Sequence, residues 1–278
     1  MKAVRALLWS LFLLFPAASP WAAEVVLKAD HPQLLGEPVS LEELVGEAYD
    51  YDIAFLWFDR FAEGRLMLLP GEREGTYRAI LHARTLGVAA FVTRHRTQTY
   101  EALMEQMPDG MLRSLAYESR LNKGTGDDRQ ERTKRYEFDY AADLVRHIRL
   151  KQGQPHKDES FPMPEGDFLN DILTAFFNFR IGNFGPVEPG RHFEIPTYTR
   201  KGPSSIIVDV LRETQRPHAG FFPAGGLLCR VRIDKEIFDT GEGELYVWLD
   251  EFARPRRGIV ENVIGLGDVR GTLRTGSE

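Results

Sequence analysis

The sequence predicts a mainly β protein, a curved antiparallel sheet or partly closed barrel with one amphipathic helix packed on its concave face. Three observations carry that expectation. Short runs of period-two alternation recur along most of the chain, separated by Gly, Pro and Asn clusters. After the N-terminal segment, helical periodicity is convincing in one stretch alone, residues 167–181. The apolar half of that helix carries Phe168, Phe176, Phe177 and Phe179, and a sheet is the natural cover for four phenylalanines.

In chain order, residues 24–49 form a lead-in, where Ser40-Leu-Glu-Glu43 reads as a capping box opening one short turn before Gly46. Ile53, Phe55 and Trp57 alternate with Ala54, Leu56 and Phe58, a strand covered on both faces. Glu63-Gly64 reads as a turn, with residues 65–69 returning as a hairpin partner. Tyr77, Ala79, Leu81 and Ala83 mark a half-buried strand. The polar stretch 92–102 reads as an edge strand or one wetted on both sides. Strands are expected at 111–121, around Tyr136, Phe138 and Tyr140, and at 145–151. Residues 152–165, with Pro155, Pro162 and Pro164, read as a polar linker. Beyond the helix come a hairpin around Lys201-Gly-Pro203, a Pro/Gly/aromatic loop at 216–226, and strands at 227–233, 244–249, 258–263 and 269–273.

The helix is expected to start at an Asp167 N-cap and to stop at Gly182, Gly185 and Pro186. Its wheel sets Asn170, Asp171, Thr174 and Asn178 opposite the apolar half, where they would face water. Arg180 projects into the middle of the apolar half. It either meets the free carbonyls of the last turn or makes a buried ion pair or anion contact under the sheet.

The 278 residues are 43% hydrophobic and 27% charged, a globular composition that excludes disorder and a membrane bundle. Residues 1–23 read as a secretory signal peptide: Lys2 and Arg5 precede an apolar run from Ala6 to Phe15, then small residues suited to cleavage after Ala22 or Ala23. That run is too short to span a bilayer, and no later segment would span one. Residues 24–278 are then one exported, periplasmic β-rich domain. Losing Lys2 and Arg5 takes the formal charge from −6 to −8, which argues against a nucleic-acid partner. The single cysteine, Cys229, allows no internal disulfide. Flanked by Leu227, Val231 and Ile233, it reads as a buried, inert thiol.

Several of these stretches resemble an exported bacterial family, domain of unknown function 3108. They are Val45-Gly-Glu-Ala-Tyr-Asp-Tyr-Asp-Ile53, Gly64, Phe138-Asp139, Asp167 with the helix ending in Phe179-Arg180, Leu245-Tyr-Val-Trp-Leu-Asp250, Arg254-Pro255 and the strand around Gly267 to Leu273. The resemblance runs over residues 45–274. It implies an architecture similar to the half-barrels of periplasmic lipoprotein carriers, with a helix in the concave side. It carries no catalytic residues, and the lipobox cysteine of lipoproteins is missing.

The residues themselves point to no reaction. The seven histidines (His31, His82, His95, His147, His156, His192 and His218) match no zinc-ligand spacing. No Gly-x-Ser-x-Gly elbow occurs. Gly265-Leu-Gly-Asp-Val-Arg-Gly271 has the wrong spacing for a phosphate loop. Asp127-Asp128 and the acidic group from Asp234 to Glu244 lack calcium-loop spacing and read as solvated charge. No cofactor or metal is therefore expected. What remains is aromatic and apolar surface, which is either a filled core or the lining of a cavity for an acyl chain. The candidate ligand-binding residues are Trp57, Phe168, Ile172, Phe176, Arg180 and Trp248. The expected function is non-enzymatic binding of a lipid, or of an apolar segment of an envelope protein. A structural assembly module with a filled core and a hydrolase with a cryptic site are the alternatives, and oligomeric state stays open.

Overall fold

Alternation of apolar and polar residues becomes, in the computed structural model of the chain, one antiparallel sheet of 14 strands. The residues described are 39–164, 168–199, 201–218, 220–235, 244–251, 253–263 and 267–274. The expected signal peptide, the Asp167 cap and parts of the 234–244 and 265–271 stretches lie outside them.

A first meander runs β1 (Ala48–Phe55), β2 (Phe58–Pro70), β3 (Thr76–Thr85), β4 (Thr97–Gln106), β5 (Leu112–Lys123), β6 (Gln130–Asp139), β7 (Leu144–Lys151) and β8 (Gln154–Pro162). A second runs β9 (His192–Thr199), β10 (Gly202–Leu211), β11 (Leu227–Arg232), β12 (Leu245–Leu249), β13 (Pro255–Val260) and β14 (Val269–Leu273). They join where β1 pairs with β14, so the sheet order is β8 through β1, then β14 back to β9. Among the described residues the sheet does not close into a hydrogen-bonded barrel. Its edges β8 and β9 nonetheless approach: the Phe161 and Tyr198 rings lie 6.4 Å apart, and the Tyr198 hydroxyl donates to the Pro162 carbonyl at 3.2 Å.

Three helices accompany it among the described residues: α1 (Leu41–Leu44), α2 (Gly87–Val92) and α3 (Ile172–Arg180). Ser40 caps α1, its hydroxyl accepting from the Glu43 amide. The main core lies on the concave face, from Tyr49, Tyr51 and Leu66 through Tyr100 and Met104 to Phe177 and Ile195. A smaller core on the opposite face gathers Leu211, Phe222, Leu228, Tyr246, Trp248 and Ile259 beneath the loop before β11. Gly226 permits that cover: its φ is +55°, and a Cβ there would lie 2.3 Å from the Leu249 carbonyl oxygen.

Four expectations are corrected. The turn of the first hairpin falls at Leu56-Trp57, and β2 runs straight through Glu63-Gly64; Gly64 is a ladder residue between Tyr51 and Ala83. The polar stretch 92–102 begins as the end of α2, whose chain reverses at Arg94 and His95 with positive φ. Its strand, β4, is central rather than an edge, and the polar side chain buried there is paired: Gln98 Nε2 donates to Ser119 Oγ at 3.0 Å. The presumed linker 152–165 is mostly the edge strand β8, where Pro155 sits at a register shift and needs no ladder amide. Helix α3 begins four residues later than expected, at Ile172, with Asp171 as its cap.

Candidate functional site: an apolar cavity beside a buried helix

Helix α3 is held from its polar side. Asp171 Oδ1 accepts the amides of Leu173 and Thr174 at 2.8 and 3.0 Å, while Oδ2 accepts the hydroxyls of Ser114 and Thr174, both at 2.7 Å. Burial raises the pKa of this carboxyl, and those hydrogen bonds oppose the rise. One side chain further along, Asn178 reaches the start of β5 and clamps a single residue. Its Oδ1 accepts the Leu112 amide at 2.8 Å and its Nδ2 donates to the Leu112 carbonyl at 2.7 Å. Asn170 reaches the other way, its amide donating to the Pro196 carbonyl of β9 at 3.0 Å. The polar half of the wheel is therefore buried, contrary to expectation. It supplies the hydrogen bonds that the start of β5 and the edge strand β9 would otherwise lack.

Arg180 makes the buried ion pair. Its Nη1 donates to Glu47 Oε2 and to the Tyr49 hydroxyl, both at 2.9 Å, and Nε donates to the Ala253 carbonyl at 3.2 Å. Tyr49 donates in turn to Glu47. Burial disfavours the charge on Arg180, but Tyr49 and Glu47 outweigh it and raise its pKa; burial also raises that of Tyr49. The guanidinium thus ties the end of α3 to the entry of β1.

The apolar side of α3 faces a cavity of about 90 Å³. Ile172, Leu173, Ala175, Phe176 and Phe179 form one wall; Leu66 and Leu81 of β2 and β3 and side chains of β9 to β12 form the rest. Every lining residue is apolar or, in Cys229, a thiol that burial pushes up to about 12. Ile172 and Phe176 remain partly exposed, so solvent reaches this wall.

Of the six candidate residues, Ile172 and Phe176 line the cavity. Arg180 lies one turn from Phe176, its guanidinium 5.8 Å from that ring, but is committed to Glu47. Phe168 precedes the helix and is 37% exposed. Trp57 is 74% exposed at the β1–β2 turn, and Trp248 lies on the opposite face of the sheet with its indole N–H on the Gly225 carbonyl at 3.1 Å. The structure does not bring these last three to the cavity. Sequence reasoning missed the walls from β10 (Ile206, Val208), β11 (Cys229, Val231) and β12 (Val247, Leu249). Their signal was available: each pair is spaced by two on its strand's inward face.

Among the described residues no group of three or more His, Cys, Asp or Glu side chains is placed to hold a metal ion. Nor is any helix there long and apolar enough to cross a membrane.

An antiparallel sheet, open and curved, with a helix in its hollow defines a barrel-like β protein. Residues 50–273 match the family model of proteins of unknown function DUF3108, and the chain belongs to that family. Among solved structures it is similar to the β-barrel-like protein of domain of unknown function DUF1849 from Brucella abortus. That match has 12% identity and a TM-score of 0.42, covering 84% of this chain and 97% of the other. It is also similar to a DUF1089 family protein from Pseudomonas aeruginosa, with 14% identity and a TM-score of 0.26, covering 82% and 93%. A search of curated proteins finds no match.

Proposed function

We propose that the chain is a non-enzymatic protein of the bacterial cell envelope that takes up an apolar group, the acyl chain of a lipid or an apolar segment of an envelope protein. Export to the periplasm, with cleavage of residues 1–23, is part of this reading. One observation carries it: a wholly apolar cavity in the hollow of the sheet, with Ile172 and Phe176 partly open to solvent. At about 10–15 Å³ per water-sized group, the cavity admits about six to nine such groups, the end of a chain rather than all of it. That small size also favours a second reading, an assembly module whose core is essentially filled.

Native mass spectrometry of protein purified from a periplasm, together with fatty-acid titration, separates the two. A carrier co-purifies with lipid, and added decanoic acid raises its melting temperature by mass action. Decanoic acid also shields the cavity thiol of Cys229, the single cysteine, from a thiol reagent. Ile172→Trp then abolishes the thermal gain while the variant still folds. A filled module shows no saturable gain, and Ile172→Trp destabilises it by overpacking.

A further inference from the structure

Cross-strand registry places a band of positive charge on the same sheet face as the cavity. Leu66 and Leu81, two of the cavity's lining residues, are opposite each other in the ladder, and the row continues through Tyr100, Ser119, Lys134 and Arg149. At about 4.8 Å per strand, Lys134 lies about 14 Å along the sheet from Leu81 and Arg149 about 19 Å. The adjoining row sets Arg132 opposite Lys151. Arg149 in turn faces Lys157 on β8. Like charges directly opposite each other destabilise a sheet. On this face of β5 to β8 the one carboxylate among the described residues is Glu159, opposite His147 and bound to Lys157 at 2.5 Å.

Lys123, Arg132, Arg149 and Lys151 have no carboxylate partner among the described residues. Arg149 Nε and Gln98 Oε1 are buried without a hydrogen-bond partner. Burial brings the Lys123 ammonium down to about 8, and Arg96, Arg132 and Arg94 push the same way. The outer face of the same strands is neutralised: Arg146 meets Asp158 at 2.5 Å and Glu137 at 3.4 Å, and Arg135 meets Glu137 at 3.1 Å. Unbalanced positive charge is thus confined to the face shared with the cavity, in a chain that is acidic as a whole.

We propose that this band, centred on Lys123, Arg132 and Arg149, binds a phosphate-bearing anion, the headgroup of an amphiphile whose apolar end enters the cavity. The headgroup assignment rests on the carrier reading; the anion site does not. A phosphate supplies acceptor oxygens for guanidinium and ammonium donors and relieves the repulsion across the ladder.

Isothermal titration at 50 and 300 mM NaCl with three probes tests it: dihexanoyl phosphatidic acid, dihexanoyl phosphatidylcholine and inorganic phosphate. The expected result is at least tenfold tighter binding of phosphatidic acid than of phosphatidylcholine at low salt, with the preference shrinking at high salt. Lys123→Met with Arg149→Met removes the preference, leaves phosphatidylcholine binding intact and raises the melting temperature of the ligand-free protein. Equal affinity for the two lipids overturns the anion site and leaves the carrier reading standing. Binding of phosphate and phosphatidic acid alike, with none of phosphatidylcholine, keeps the anion site and overturns the carrier reading. No binding of any probe overturns both. A lower melting temperature in the double variant assigns these side chains a structural role and overturns the site.

Discussion

Helix α3 buries its polar side at least as completely as its apolar one, which a surface helix does not. Its polar side chains, Asp171, Thr174 and Asn178, are buried, whereas Ile172 and Phe176 on the apolar side keep partial access to solvent. In a surface helix the apolar stripe seeks the core and the polar stripe seeks water. Here the neighbours of α3 are the start of β5 and the edge strand β9, whose backbone groups lack a ladder partner on that side, and a buried amide without a partner costs about 1–3 kcal/mol. Satisfying the Leu112 and Pro196 backbone groups outranks hiding Ile172. The helix is oriented by hydrogen-bond demand, and the cavity is what its apolar side is left facing.

Four measurements break or sharpen that contrast. The largest effect is expected where the apolar half carries a charge. Arg180→Met leaves Glu47 buried without its partner and should cost about 3–5 kcal/mol in a urea titration. A loss under 1 kcal/mol would mean that water already reaches Glu47. Next comes Asn178→Ala, which strands both the amide and the carbonyl of Leu112 and should cost about 2–4 kcal/mol. Phe176→Ala, at a partly exposed position, should cost only about 1–2 kcal/mol. If Phe176 proves the costlier of these two, the contrast between the sides is reversed.

The smallest effect is a slope. The pKa of Asp171 is raised in the folded protein, so between its unfolded value, about 3.9, and its folded value the native state holds more protons than the unfolded chain. Its contribution therefore falls as pH rises through that window, against the usual trend for paired carboxylates. Stability measured from pH 4 upward should gain less with pH in the wild type than in Asp171→Asn. The same slope in both proteins would show that the carboxyl is not perturbed.

Most strands were legible because alternation reports burial directly, as in Tyr77 to Ala83 or Tyr136 and Phe138. Periodicity failed where the signal was chemical rather than hydrophobic. Asn178 is polar, and a helical wheel sorts residues by polarity without knowing that a strand end waits opposite. Pro155 resembled a linker residue because a bulge on an edge strand tolerates it, and β4 read as wetted because its buried polar side chain is paired across the ladder. For the site, Ile172 and Phe176 were readable from their period. Trp57 and Trp248 were placed by aromaticity alone, which says nothing about the face a ring occupies. The band of charge around Lys123 emerges only once strand register is known.

Of the 13 strand pairings among the described residues, 12 join strands that are neighbours in the chain, and only β1 with β14 does not. Arg274 reaches Asp52 and Glu63 across that seam at 2.9 and 2.8 Å, over sequence separations of 222 and 211 residues. Closing a loop of that length carries an entropy term of about 5 kcal/mol, which the local hairpins never face. The last strand in chain order is thus a middle strand of the sheet. Cutting the chain before Val269 would not fray an edge. It would open two new ones, β1 and β13, with the apolar alternation of Tyr49, Tyr51, Ile53 and Phe55 beside an unpaired ladder, a template for joining another copy edge to edge.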